Sequence, residues 1–123
     1  MDQTRTILTE INTLADFKEL LENNPGTIVI KFGAEWCGPC KKIEPLVKQW
    51  FDHLIKTTSH IQPVMIDVDE CLDVYAFLKN KKMLNGIPAI LAYKKGNTHY
   101  VPDSVVIGAN VAEVNQFFTN LMQ

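Results

Sequence analysis

Apolar residues recur along this chain with two different spacings, and each change of spacing marks a change of element. Residues 6–11 are expected to form a short first strand. Leu14, Phe17, Leu20 and Leu21 then fall on one helical face, and Asn23-Asn24-Pro25-Gly26 stops the helix they form. From 27 to 32 the run Thr-Ile-Val-Ile-Lys-Phe is apolar except near its end, at Lys31, the pattern of a central strand covered on both faces. Beyond Cys40, residues Ile43, Leu46, Val47, Trp50, Phe51, Leu54 and Ile55 keep helical spacing over several turns and predict the longest helix. Pro45 lies inside it and is expected to kink it.

A second buried strand is predicted over 61–68, followed by a helix over 70–82 that packs through Leu72, Tyr75 and Leu78. Residues 87–93, a turn at Lys94-Lys95-Gly96-Asn97 and residues 98–107 read as an antiparallel hairpin. Val111, Val114, Phe117, Phe118 and Leu121 close the chain with an amphipathic helix. This alternation places the chain in the α/β class, with a mixed central sheet flanked by helices. No repeat, linker or low-complexity stretch divides the 123 residues, so a single domain over 1–123 is expected.

Charge removes some functions from consideration. A net charge of −2 gives no electrostatic case for binding nucleic acid or an anionic membrane. Residues 1–20 carry Asp2, Arg5, Glu10 and Asp16 without an apolar run, so neither a secretory signal nor a membrane span is expected, and the chain reads as cytoplasmic.

The candidate chemistry lies in Trp36-Cys37-Gly38-Pro39-Cys40-Lys41, between a predicted strand and a predicted helix. Cysteines at i and i+3 share a helix face, so their sulfurs can close a small ring and open it again. At a helix start, backbone N–H groups and the positive end of the dipole favour a thiolate on Cys37. Gly38 permits close approach of a partner, and Pro39 fixes φ where a missing N–H costs little. Three cysteines do not make a disulfide scaffold. Zinc normally needs four N or S ligands, whereas Cys71, His53, His60 and His99 show no ligand spacing, so no metal is expected.

Ile28-Val29-Ile30-Lys31-Phe32, the Trp-Cys-Gly-Pro-Cys-Lys stretch and Gly86-Ile87-Pro88-Ala89 together resemble the thioredoxin family, over nearly the whole chain. The resemblance implies a protein-disulfide oxidoreductase without a bound cofactor, in which Cys37 attacks and Cys40 resolves. It implies disulfide-containing client proteins and a thioredoxin reductase that draws on NADPH. It also implies a cis Ile87-Pro88 bond, where base rates alone favour trans. Trp36, Gly38, Pro39, Ile87, Pro88, Gly108 and Ala109 would line a groove in which substrate pairs as an extended strand.

Three residues depart from the family pattern. Lys31 stands where the family usually has a buried Asp that handles the resolving thiol's proton, so Lys31 either reaches a carboxylate such as Glu44, is desolvated with a lowered pKa, or snorkels to water. Ala89 replaces the usual Thr, and Gly33 a bulkier residue. The hairpin is also longer than usual for the family, with Tyr100-Val101-Pro102-Asp103-Ser104 as the extra loop. Cys71, in an acidic stretch similar to that of animal cytosolic thioredoxins, allows a regulatory thiol or an ordinary core cysteine. Lys31 and the long hairpin keep a second class open, a thioredoxin-fold binding or redox-gated scaffold subunit with little turnover.

Overall fold

The computed structural model describes residues 5–123. Its elements run α1 (Leu14–Glu22), β1 (Thr27–Gly33), α2 (Gly38–Thr57), β2 (Ile61–Asp67), α3 (Leu72–Asn80), β3 (Ala89–Lys94), β4 (Ser104–Ile107) and α4 (Val111–Leu121). The sheet order is β2-β1-β3-β4. β1 and β2 are parallel because α2 carries the chain back across the sheet, whereas β1–β3 and β3–β4 are antiparallel. The expected mixed sheet with flanking helices is therefore the observed one.

Period-two alternation divides β1 between two cores. Ile28, Ile30 and Phe32 face a layer that contains Phe17 and Leu21 of α1, Val74 and Leu78 of α3, and Tyr93 of β3. Val29 faces the other layer, with Ile43, Val47, Phe51 and Leu54 of α2 and Val114, Phe117 and Phe118 of α4. Phe118 stacks on Trp50 at 5.2 Å and meets Phe51 edge-on at 5.9 Å, which fixes α4 against α2. β1 is buried from Ile28 to Gly33, as a strand sandwiched between two helical layers must be.

Local differences from expectation have local causes. Residues 6–11 form no strand: only Leu8 bridges to Val64, through Leu8 N–H to Pro63 O at 3.1 Å and Met65 N–H to Leu8 O at 2.8 Å. Proline at 63 has no N–H to extend that pairing. α2 continues to Thr57 through Pro45, which removes one rung without ending the helix. In α3 the buried residues are Val74 and Leu78, below the buried N-cap Cys71, whereas Leu72 is 61% exposed. Steps of three residues drift by about 60° each, so Leu72 and Leu78 cannot share a face.

β4 begins only at Ser104, because the preceding chain folds back on itself. Asp103 accepts from Lys94 N–H at 2.7 Å and from the Asn97 amide at 3.0 Å, and Asn97 also donates to Val101 O at 2.9 Å. Tyr93 donates to Tyr100 O at 2.7 Å, and the Tyr100 ring packs edge-on against Phe77 of α3 at 5.4 Å. The extra loop is thus bound to the body of the protein. Among the described residues no helix is long and apolar enough to cross a membrane.

Partial burial alone would raise the Asp103 carboxyl, but the hydrogen bonds from Lys94 and Asn97, together with the Lys94 charge, hold it below its ordinary value. A carboxylate stabilised in the folded state contributes above its unfolded pKa and stops contributing as pH falls through the lowered one. Asp103 is exposed to solvent, which screens these interactions, so Asp103→Ala should cost only about 0.5 kcal/mol at pH 7, and the gap to the unsubstituted chain should close in strong acid. Urea unfolding at several pH values measures this, and equal stability at pH 7 would show that Asp103 does not hold the loop.

Candidate active site

β1 delivers the chain to one end of the sheet, and Ala34-Glu35-Trp36 turns it into α2. Cys37 is the N-cap of that helix, with extended backbone (φ −92°, ψ 107°), and its N–H donates to Ala34 O at 3.2 Å. The Cys40 N–H points back at Cys37 Sγ, 3.2 Å away. Pro39 lies in the first turn, where its lack of an N–H forfeits nothing. The first turn thus presents an N–H donor and the positive end of its dipole to the Cys37 sulfur, the surroundings that favour a thiolate there.

Cys37 and Cys40 are joined as a disulfide, with Cα atoms 5.2 Å apart. Cys37 is 6% exposed and Cys40 1%. The Ile87 carbonyl oxygen lies 3.9 Å from Cys37 Sγ. The Ile87-Pro88 bond is cis, as the resemblance implies and base rates do not. Pro88 is buried just before β3, and its carbonyl accepts from Gly108 N–H at 2.8 Å. Gly108 has φ +99°, a conformation that disfavours any side chain, so this link between the Pro88 segment and the end of β4 depends on glycine.

Trp36, Gly38 and Pro39 are exposed beside Cys37, Trp36 to 69%. Ile87 is half-buried, with its carbonyl oxygen near Cys37 Sγ. Ala109 packs partly into the core between α2 and α4. The Trp36 indole N–H donates to Asp69 at 2.7 Å. Asp69 was not legible as part of the site, because it lies 33 residues from Trp36 and has no spacing signal. Cys71 is 1% exposed at the N-cap of α3, the surroundings of a core cysteine. Among the described residues, no three His, Cys, Asp or Glu side chains gather as a metal-binding group.

Lys31 is 2% exposed, on the β1 face that α2 covers. Met65 and Ile90 stand opposite it on the neighbouring strands, so no carboxylate faces it across the sheet. Glu44 has Lys48 as its ion-pair partner, at 3.9 Å. Burial pushes the Lys31 amine below its ordinary pKa; the Glu44 charge opposes this and Lys48 adds to it. Of the three expectations for Lys31, desolvation describes it. Gly33 makes the position feasible: a Cβ there would lie 2.8 Å from Lys31 Nζ and 3.5 Å from Cys40 Cβ. The signal was present in the sequence, since residues i and i+2 of a strand share a face.

Residues 8–120 match the thioredoxin family. A thioredoxin-like protein of Synechocystis sp. is 29% identical over 104 residues, which cover 85% of this chain and 92% of that relative. Thioredoxin of Equus caballus is 37% identical over 89 residues, 71% of this chain and 76% of the relative. The solved structure of Fasciola hepatica thioredoxin superimposes with a TM-score of 0.70 at 26% identity, covering 93% of this chain and 98% of that one. The family match spans nearly the full length and the fold is shared, and on that ground, with its Cys37–Cys40 pair, the chain belongs to the thioredoxin family and is a thiol–disulfide oxidoreductase.

Proposed function

We propose that the chain reduces disulfides in client proteins through Cys37 as the attacking thiol and Cys40 as the resolving thiol. The observation that carries this assignment is the Cys40 N–H aimed at Cys37 Sγ from the first turn of α2. It stabilises negative charge on Cys37 and offers Cys40 no equivalent donor from that turn. The greater exposure of Cys37 supports the same order.

In the reduced enzyme, Cys37 thiolate attacks one sulfur of a client disulfide; a mixed disulfide forms and one client thiolate leaves. Cys40, deprotonated, then attacks Cys37 Sγ, which closes the Cys37–Cys40 bond and releases the second client thiolate. Two electrons pass from enzyme to client, and two protons complete the client thiols. Trp36, Gly38, Pro39, Ile87, Pro88, Gly108 and Ala109 form the groove in this reading, with the client backbone running beside Ile87, whose carbonyl lies next to the attacking sulfur. A thioredoxin reductase using NADPH restores the dithiol. The domain extends over 1–123, of which residues 1–4 lie outside the described ones, and a reducing compartment such as the cytoplasm suits the cycle.

An insulin-type disulfide reduction assay driven by dithiothreitol tests the activity. The chain should accelerate insulin precipitation, and Cys37→Ser should fall to the uncatalysed background. Absence of acceleration by the unsubstituted chain would favour a docking role for the groove over turnover.

The division of roles has its own test. Cys40→Ser keeps the nucleophile without the resolving thiol and should accumulate mixed disulfides with client proteins, whereas Cys37→Ser should accumulate none. Non-reducing gels after acid quench read the difference, and equal trapping by the two variants would remove the assignment.

A further inference from the structure

The two departures at 31 and 33 are a single physical arrangement. Lys31 Nζ occupies the space that a side chain at Gly33 would fill, and Cys40 Cβ borders the same space. A cavity of about 240 Å³ opens beside them, lined by both Lys31 and Gly33. The side chain is otherwise enclosed, by Met65 and Ile90 in the sheet and by α2 above. An ammonium that is nine-tenths or more buried without a carboxylate partner is costly, so the amine at this position is one whose charge state responds to its neighbours. The nearest redox group is Cys40.

We propose that Lys31 and Gly33 act as a positioning pair for the redox couple: Gly33 leaves room for the amine beneath Cys40, and the amine takes up a proton as the disulfide opens. This rests on the reading of Cys37 and Cys40 as the exchanging thiols. When a dithiol donor reduces the disulfide, two electrons enter, the S–S bond breaks and Cys40 departs as a thiolate. One proton from the cavity then binds Lys31 Nζ, and the resulting ammonium faces the new negative charge. In the forward direction the Cys40 thiolate held opposite that ammonium closes the bond with Cys37, the client sulfur leaves as a thiolate, and Lys31 returns its proton through the cavity. A cation that accompanies only the reduced state favours that state and makes the chain a weaker reductant.

The other charges around the amine do not change between the two states. Glu44 and Lys41 on α2, Glu35 in the β1–α2 loop, and Asp67 and Glu70 at the end of β2 line the cavity, and Lys48 lies one turn beyond Glu44. They set the baseline for the Lys31 amine and give its proton a polar route to solvent. Acidic groups outnumber basic ones in that lining, which favours proton uptake when the thiolate appears.

Equilibration with glutathione, acid quench and alkylation measure the dithiol–disulfide constant. Lys31→Met should shift it toward the disulfide by about tenfold, the effect of one pKa unit of lost charge interaction. Gly33→Ala should shift it in the same direction, because the new methyl displaces only the flexible tip of Lys31. The double variant should go no further than Lys31→Met, since the methyl acts only through the amine. Unchanged constants in the single variants, or additive shifts in the double, would overturn the proposal. A second readout needs no substitution. The NMR titration of Lys31 Cε in the unsubstituted protein should show a higher amine pKa in the dithiol form than in the disulfide form. Equal values would overturn the proposal even if a variant failed to fold. The glutathione equilibrium is read whether or not the chain reduces insulin, so failure of the proposed function and failure of this inference are separate results.

Discussion

β1 is hydrogen-bonded on both sides and covered on both faces, and every other element takes its place from that double enclosure. Its partners β2 and β3 are fixed laterally by the ladder, and its alternating side chains assign α1 and α3 to one face and α2 and α4 to the other. The strand ends where α2 begins a few residues later, so the rigidity of β1 is handed directly to Cys37 at the cap. A cysteine placed by a buried central strand and the first turn of a long helix has little freedom to drift from its partner. That constraint keeps Cys37 and Cys40 within bonding distance in a chain that has no other disulfide among its described residues.

The same enclosure makes Lys31 expensive. Among the described residues it is the one charged side chain that is buried, and burying an ammonium without a partner costs several kcal/mol unless it sheds its proton or keeps contact with water. Most positions on a doubly covered strand could offer neither escape. Residue 31 can, because its neighbour on the same face is glycine and the space released by that glycine leads to a polar cavity. The glycine is therefore the condition for the lysine, and substitution at either position changes what the other can do.

What the sequence made legible follows the range of the interactions involved. β1, α2 and α4 have long, regular apolar patterns, and their positions agree with the structure to within a few residues. The cysteine pair and the helix cap are local and were equally readable. The first strand failed because its single bridge depends on residues 63–65, more than 50 positions away. The second hairpin strand shortened to four residues because Asp103 and Asn97 give the loop backbone partners within the loop itself. Leu72 lies off the buried face of α3 because a helical face recurs at alternating steps of three and four, and the three-residue steps Leu72, Tyr75, Leu78 drift across it. Asp69, which ties down Trp36, carries no pattern at all, since its role exists only after the sheet has brought the two loops together.

The redox pair lies at a boundary between two kinds of interior. Cys37 and Cys40 belong to the apolar cluster with Phe32, Val68 and Ile87. On its other flank Cys40 Cβ borders the space at Gly33 that Lys31 Nζ occupies, next to a cavity rimmed by carboxylates and Lys41. A dry flank slows adventitious proton exchange and keeps the disulfide from solvent, whereas a polar flank supplies the proton that each turnover must move. Neither alone would serve thiol–disulfide exchange. A wholly apolar site would raise the thiol pKa and suppress the nucleophile, and a wholly wet one would screen the interactions that distinguish Cys37 from Cys40. β1 produces the asymmetry because its two faces meet different layers, Phe32 pointing into one and Lys31 into the other, so the character of the site is already set by the order of two adjacent residues in the central strand.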